Sequence, residues 1–139
     1  MRLAAFTDFG LRILMRLAST PGDRLSTTDL AAEFGLSQHH LAKIAQDLVR
    51  GGFVTSQRGS GGGIRLARDA ASITLGEVVR HLERRFALVE CFGQGGGDCV
   101  LRSCCRLKPR LVAAQEAFLR ELDGTTLAEC AWPEQGQAA

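Results

Sequence analysis

The sequence predicts a mainly α protein with a small β wing: a winged helix-turn-helix domain, then a cysteine-rich loop, then a long helix. Three observations carry this expectation. Two short capped helices are joined by a glycine-containing turn. An alternating hairpin, "FVTSQR" and "IRLAR" around "GSGGG", follows the second of them directly. Further on, apolar residues recur in steps of four and three from Leu107 to Leu122. With 139 residues and 45% apolar content, the chain has material for one domain, or one small domain with an extension.

Each element has its own local reason. The first helix is expected to begin at Thr7 as its cap, with Leu11, Leu14, Leu17 and Ala18 on one side. Asp8 then falls in its first turn, where a carboxylate suits the helix dipole. Pro21 and Gly22 mark a loop. Ser26 caps the second helix, with Asp29 three residues on, and Gly35 closes it. Ser37 caps the third, which ends at the Gly51-Gly52 pair. After the hairpin, Thr74 and Glu77 form a capping box for "LGEVVRHLER". Pro109 is acceptable in the first turn of the last long helix, which runs to about Leu122 before Gly124. Its stripe of Leu107, Leu111, Ala114, Phe118 and Leu122 has coiled-coil-like spacing. Packing on its own domain and packing on a second copy both fit that stripe. A short helix near "TLAEC" and a polar tail end the chain.

Charge is unevenly spread. Residues 1–68 carry nine Arg/Lys against five Asp/Glu, whereas residues 69–139 carry eight against ten. A basic front half points to a polyanion-binding face. The N-terminal stretch is interrupted by Asp8, Arg12 and Arg16, so it lacks the apolar core of a signal peptide or membrane span. A cytoplasmic location and no membrane partner are expected. There is no nucleophile–base pair and no pair of acids. The wing glycines lack the lysine and following helix of a phosphate-binding loop. Enzymatic chemistry is therefore not expected.

On a helical wheel, Leu41, Ile44, Ala45 and Leu48 share the core side of the third helix, while His39, Lys43, Gln46 and Arg50 face away. The start of the second helix of a helix-turn-helix reaches base edges in the major groove. Ser37, Gln38 and His39 are thus candidates for DNA contact, with Gln38 and His39 reading bases. Lys43 would meet a base or phosphate, and Arg50 the backbone. Arg58 and Arg65 flank the wing's glycine tip, which lets backbone approach a phosphate or minor groove closely. His40 and His81 have no evident partner and read as structural or surface residues.

Four of the five cysteines, Cys91, Cys99, Cys104 and Cys105, lie in one soft loop, "ECFGQGGGDCVLRSCCRLK". The odd count and the expected compartment argue against a disulfide framework. The spacings do not pair ligands as structural zinc sites do, and no histidine lies in the loop. Iron–sulfur clusters tolerate varied thiolate spacing and an occasional non-cysteine ligand. A cluster therefore ranks above reactive thiols, and reactive thiols above zinc. Cys130 lies outside the loop and is expected to be structural.

"FTDFGLRILMRLA", "RGSGGGIRLA", and "CRLK" followed by "FLRELDGTTLA" together resemble the NsrR-like nitric-oxide-sensitive repressors, within a family of winged-helix regulators that also includes IscR-like proteins. The resemblance covers nearly the whole chain. It implies a homodimer on an inverted-repeat operator, with one iron–sulfur cluster per subunit, 4Fe–4S in preference to 2Fe–2S. It divides the chain into a winged helix-turn-helix domain (1–85), a cluster-binding loop (86–106), a dimerisation helix with a short C-terminal helix (107–131) and a tail (132–139). By the same resemblance the metal ligands are Cys91, Cys99 and Cys105, with Asp8 of the partner subunit as the fourth. Cys104 is surplus, or an alternative ligand if the loop shifts register. IscR-like proteins place a histidine three residues after the third cysteine, where this chain has Lys108. The implied function is a transcriptional repressor that releases its operator when nitric oxide attacks the cluster. The alternatives are an IscR-like sensor of iron–sulfur or redox status and a metal-free thiol switch.

Overall fold

The fold is that of a computed structural model describing residues 2–131, so the expected polar tail lies outside the described residues. The first helix, α1 (Ala5–Ala18), starts before Thr7, and its N-cap, Ala4, makes no side-chain cap bond. Thr7 is fully buried and its hydroxyl has no hydrogen-bond partner among the described residues. The expected Thr7 cap is thus replaced by a tertiary anchor: the Ala4 N–H donates to the Glu83 carboxylate at 2.9 Å. Ile13, Leu14, Leu17 and Ala18 are buried along α1, whereas Leu11 is only half-buried.

Helix α2 (Thr27–Glu33) is capped by Ser26, whose hydroxyl accepts from the N–H groups of Thr28 and Asp29 at 3.2 and 3.4 Å. Gly35, with φ of 64°, turns the chain toward α3 (Gln38–Arg50). The Ser37 hydroxyl accepts from the His40 N–H at 3.1 Å, and Leu41, Ile44, Ala45 and Leu48 are all buried. Strands β1 (Val54–Gln57) and β2 (Gly63–Leu66) pair antiparallel, from Val54 opposite Leu66 to Gln57 opposite Gly63. Leu25 adds a further rung, exchanging backbone hydrogen bonds of 2.9 and 2.8 Å with Ile64. This fastens the wing to the front of α2. A lone extended residue gives no periodic signal, so the sequence does not announce it.

Helix α4 (Leu75–Glu83) begins at Thr74, whose hydroxyl accepts from the Glu77 N–H at 3.2 Å. The capping box is only half made: the Glu77 carboxylate turns to Arg68 at 2.5 Å, because a cation is the stronger partner. Helix α5 (Leu107–Asp123) packs on α4, and a two-point pair of 2.5 and 2.6 Å joins Arg80 to Asp123. Gly76 permits that approach, since a Cβ there would strike the Asp123 carboxylate. No residue of α5 is buried. Leu111, Phe118 and Leu122 are half-covered, while Leu107, Val112 and Ala114 are exposed. The expected short helix near "TLAEC" is a 3-10 turn, Ala128–Cys130. Ahead of it, Leu127 is fully buried, and its N–H donates to the Ile73 carbonyl at 2.8 Å.

The core joins α1, α3 and α4 with Leu30, Phe53, Ile64, Ile73 and Leu127. Each fully buried side chain of this size contributes roughly 1.5–3 kcal/mol relative to exposure. Among the described residues no helix is long and apolar enough to cross a membrane.

Candidate DNA interface and cysteine loop

Helix α3 presents Ser37, Gln38 and His39 at its exposed start, and Lys43, Gln46 and Arg50 further along. The Ser37 hydroxyl is engaged as the cap. Arg58 stands at the wing tip, and Arg65 projects from β2 opposite Thr55. Gln46, Arg50 and Arg58 line one open cleft of about 650 Å³ between α3, the start of α2 and the wing. Thr28 and Ser56 supply hydroxyls to the same cleft. Gln38, His39, Lys43 and Arg65 lie outside its lining. Arg50 is 64% exposed and only loosely associated with Asp47, at 4.0 Å. The surface is therefore cationic and polar, and it is built on the capped helix that can enter a major groove.

Behind that surface lies a cluster absent from the expected site. The Asp47 carboxylate, 4% exposed, receives Arg84 through two bonds of 2.5 and 2.9 Å. His81 Nε2 lies 2.8 Å from the Asp47 carbonyl, and its ring meets Phe53 edge-on at 5.5 Å. His81 is thus structural, held by Asp47 on α3 and by Phe53 just before β1. The Arg84 guanidinium holds the Asp47 carboxyl below its ordinary range against the opposing effect of burial. A signal existed: Asp47 follows Ile44 by three residues, which puts a carboxylate on the core side of an amphipathic helix. His40 makes an edge contact with Phe9 at 6.2 Å.

The cysteine loop runs through successive single turns, one of them at Glu90–Phe92, with Gly95, Gly96 and Gly97 all at positive φ. Cys91 and Cys105 are half-buried, Cys99 and Cys104 are exposed, and all are free thiols, as is Cys130. The Lys108 N–H donates to Cys105 Sγ at 3.4 Å, the kind of bond a thiolate ligand takes from backbone. Asp8 is paired with Arg12, at 2.9 and 3.0 Å, on the exposed side of α1. Among the described residues no three His, Cys, Asp or Glu side chains converge on one point where a metal ion could sit. In kind, the donor set suits thiolate-bound iron: several unpaired thiols on a backbone whose glycines can wrap a bulky group.

Fold and surface together define a winged-helix, DNA-binding transcriptional regulator. Residues 3–131 match the Rrf2 family, described as iron-dependent transcriptional regulators, and the chain belongs to that family. It is 45% identical over 130 residues to the HTH-type transcriptional regulator NsrR of Geobacillus kaustophilus (strain HTA426), covering 93% of this chain and 88% of that one. Among solved structures it is similar to the oxidized form of CymR from Staphylococcus aureus, with a TM-score of 0.73, 26% identity, and 96% and 98% of the two chains covered. IscR of T. potens matches with a TM-score of 0.70 and 26% identity, covering 93% and 85%. The Rrf2 family and the NsrR relative are described as transcriptional regulators, and the chain is a regulator, not an enzyme.

Proposed function

We propose that the protein is a cytoplasmic, homodimeric repressor that binds an inverted-repeat operator and senses nitric oxide through an iron–sulfur cluster, 4Fe–4S in preference to 2Fe–2S. The observation that supports this most is the 45% identity, along 93% of the chain, to a regulator named NsrR. Cys91, Cys99 and Cys105 would hold the group together with Asp8 of the partner subunit, with Cys104 surplus to that set, or an alternative ligand only if the loop shifts register. Bound there, the group supplies iron that nitric oxide can reach and react with.

The chain's own residues do the rest. The loop is open to a small molecule: Cys99 and Cys104 are exposed, and Val100 between them is 93% exposed. Within its own subunit Asp8 has Arg12 as a partner, so its charge is compensated whenever it is not a ligand. The exposed apolar residues Leu107 and Val112 on α5 suit burial against a second copy. Gln38 and His39 would read bases and Lys43 a base or phosphate. Arg50, Arg58 and Arg65 would hold the backbone, and Ser37 would border the same contact. Two recognition helices must then sit about 34–36 Å apart, or a multiple of that, so a small rotation between subunits spoils simultaneous docking. The two sites are coupled through the dimer arrangement.

The test uses protein purified without oxygen and a duplex that it selects from a random pool. Wild type and Cys104→Ala should release the duplex on addition of nitric oxide. Cys91→Ala, Cys99→Ala and Cys105→Ala should lose iron and the response together. An undiminished response in all three would contradict the proposal. A metal-free thiol switch is a second reading, favoured by the ligands' lack of convergence among the described residues. A DNA response that survives iron removal would select it. An IscR-like sensor is disfavoured by Lys108 in place of the expected histidine.

A further inference from the structure

Asp47 has no access to DNA, yet it is the most elaborately held side chain near the recognition helix. It sits in the last turn of α3, where the helix dipole disfavours negative charge. A buried carboxylate in such a place requires a close cation with good geometry. Arg84 supplies it with a two-point grip of 2.5 and 2.9 Å, and the same guanidinium also donates to the His81 carbonyl. His81 meets the Asp47 carbonyl at 2.8 Å, so the end of α4 holds both the side chain and the backbone of one α3 residue.

The neighbouring residue reaches the other way. Glu83 accepts the Ala4 N–H at 2.9 Å and so holds the start of α1, close to Asp8. The chain leaves α4 at Arg84 and enters the cysteine loop two residues later. The end of α4 is therefore a junction between the recognition helix, the start of α1 and the loop.

We propose that Asp47 and Arg84 are positioning residues for DNA reading: their pair sets the angle of α3 against the end of α4 without touching DNA. The inference rests on the DNA-binding reading and adds to it the contact through which a change in the loop reaches the recognition helix. Arg84 has 35% of its side chain exposed and can be changed without opening the core.

The experiment compares wild type, Arg84→Gln, Arg84→Lys, Asp47→Asn and the Asp47→Asn/Arg84→Gln pair as full chains, each confirmed as folded by circular dichroism. The probes are the duplex selected by wild type and a scrambled duplex, titrated over a range of salt. Arg84→Gln and Asp47→Asn should each lose about tenfold in affinity for the selected duplex and nothing for the scrambled one. The salt dependence should stay unchanged, and the double variant should lose no more than either single. Arg84→Lys, which keeps the charge but not the fork, should fall between.

Arg84→Gln binding the selected duplex within about twofold of wild type would overturn the proposal. So would equal losses on both duplexes with a salt slope reduced by about 0.9, the mark of a direct phosphate contact. Additive losses in the double variant would also overturn it. If wild type selects no duplex at all, the DNA-reading premise itself fails, an outcome distinct from the others.

Discussion

Ser26, Ser37 and Thr74 each accept an N–H from the first turn of the helix they precede, and all three are legible because capping needs only a short side-chain oxygen at the right offset. Ser37→Ala should cost about 1 kcal/mol in a urea unfolding titration. Thr7 has the same chemistry but is buried, because the Ala4 N–H, donating to the Glu83 carboxylate, fixes where α1 begins. Asp47 escaped the sequence reading for a similar reason: its partner is distant along the chain. Its carboxyl is held below the ordinary value of 3.8, chiefly by Arg84. A lowered folded-state pKa contributes stability that is fully present above the unfolded value and is lost as pH falls through the folded one. Asp47→Asn should therefore cost about 1–3 kcal/mol at pH 7. The gap to wild type should close as the pH falls below that ordinary value, as read by urea titrations across pH.

At the scale of elements, the wing was legible from alternation and its glycine tip, but its anchoring was not. Gly63 adopts φ of 139°, and a Cβ there would collide with the Leu25 carbonyl. Gly63→Ala should break the Leu25–Ile64 rung, destabilise the fold by about 1–3 kcal/mol and weaken duplex binding through the displaced wing. Helix α5 was legible as an amphipathic stripe, and its exposed apolar surface at Leu107 and Val112 leaves room for a partner. If a second copy fills it, Leu107→Glu with Val112→Glu should convert a dimer to a monomer in sedimentation at unchanged helical content. A dimer that persists would contradict the proposed role of α5.

For the whole molecule, the order of helix-turn-helix, wing and basic front was readable because each part is local in the chain. The Leu127 plug and the Asp47–Arg84 junction were not, since both depend on segments brought together only by folding. The cysteine loop lies between these cases: its thiols are plain in the sequence, and the fold keeps them free without drawing them to one point among the described residues. A native mass spectrum of protein purified without oxygen tests the account most directly. A dimer carrying the mass of four irons and four sulfides per subunit is the predicted result. Zinc, or no metal on intact thiols, would contradict it.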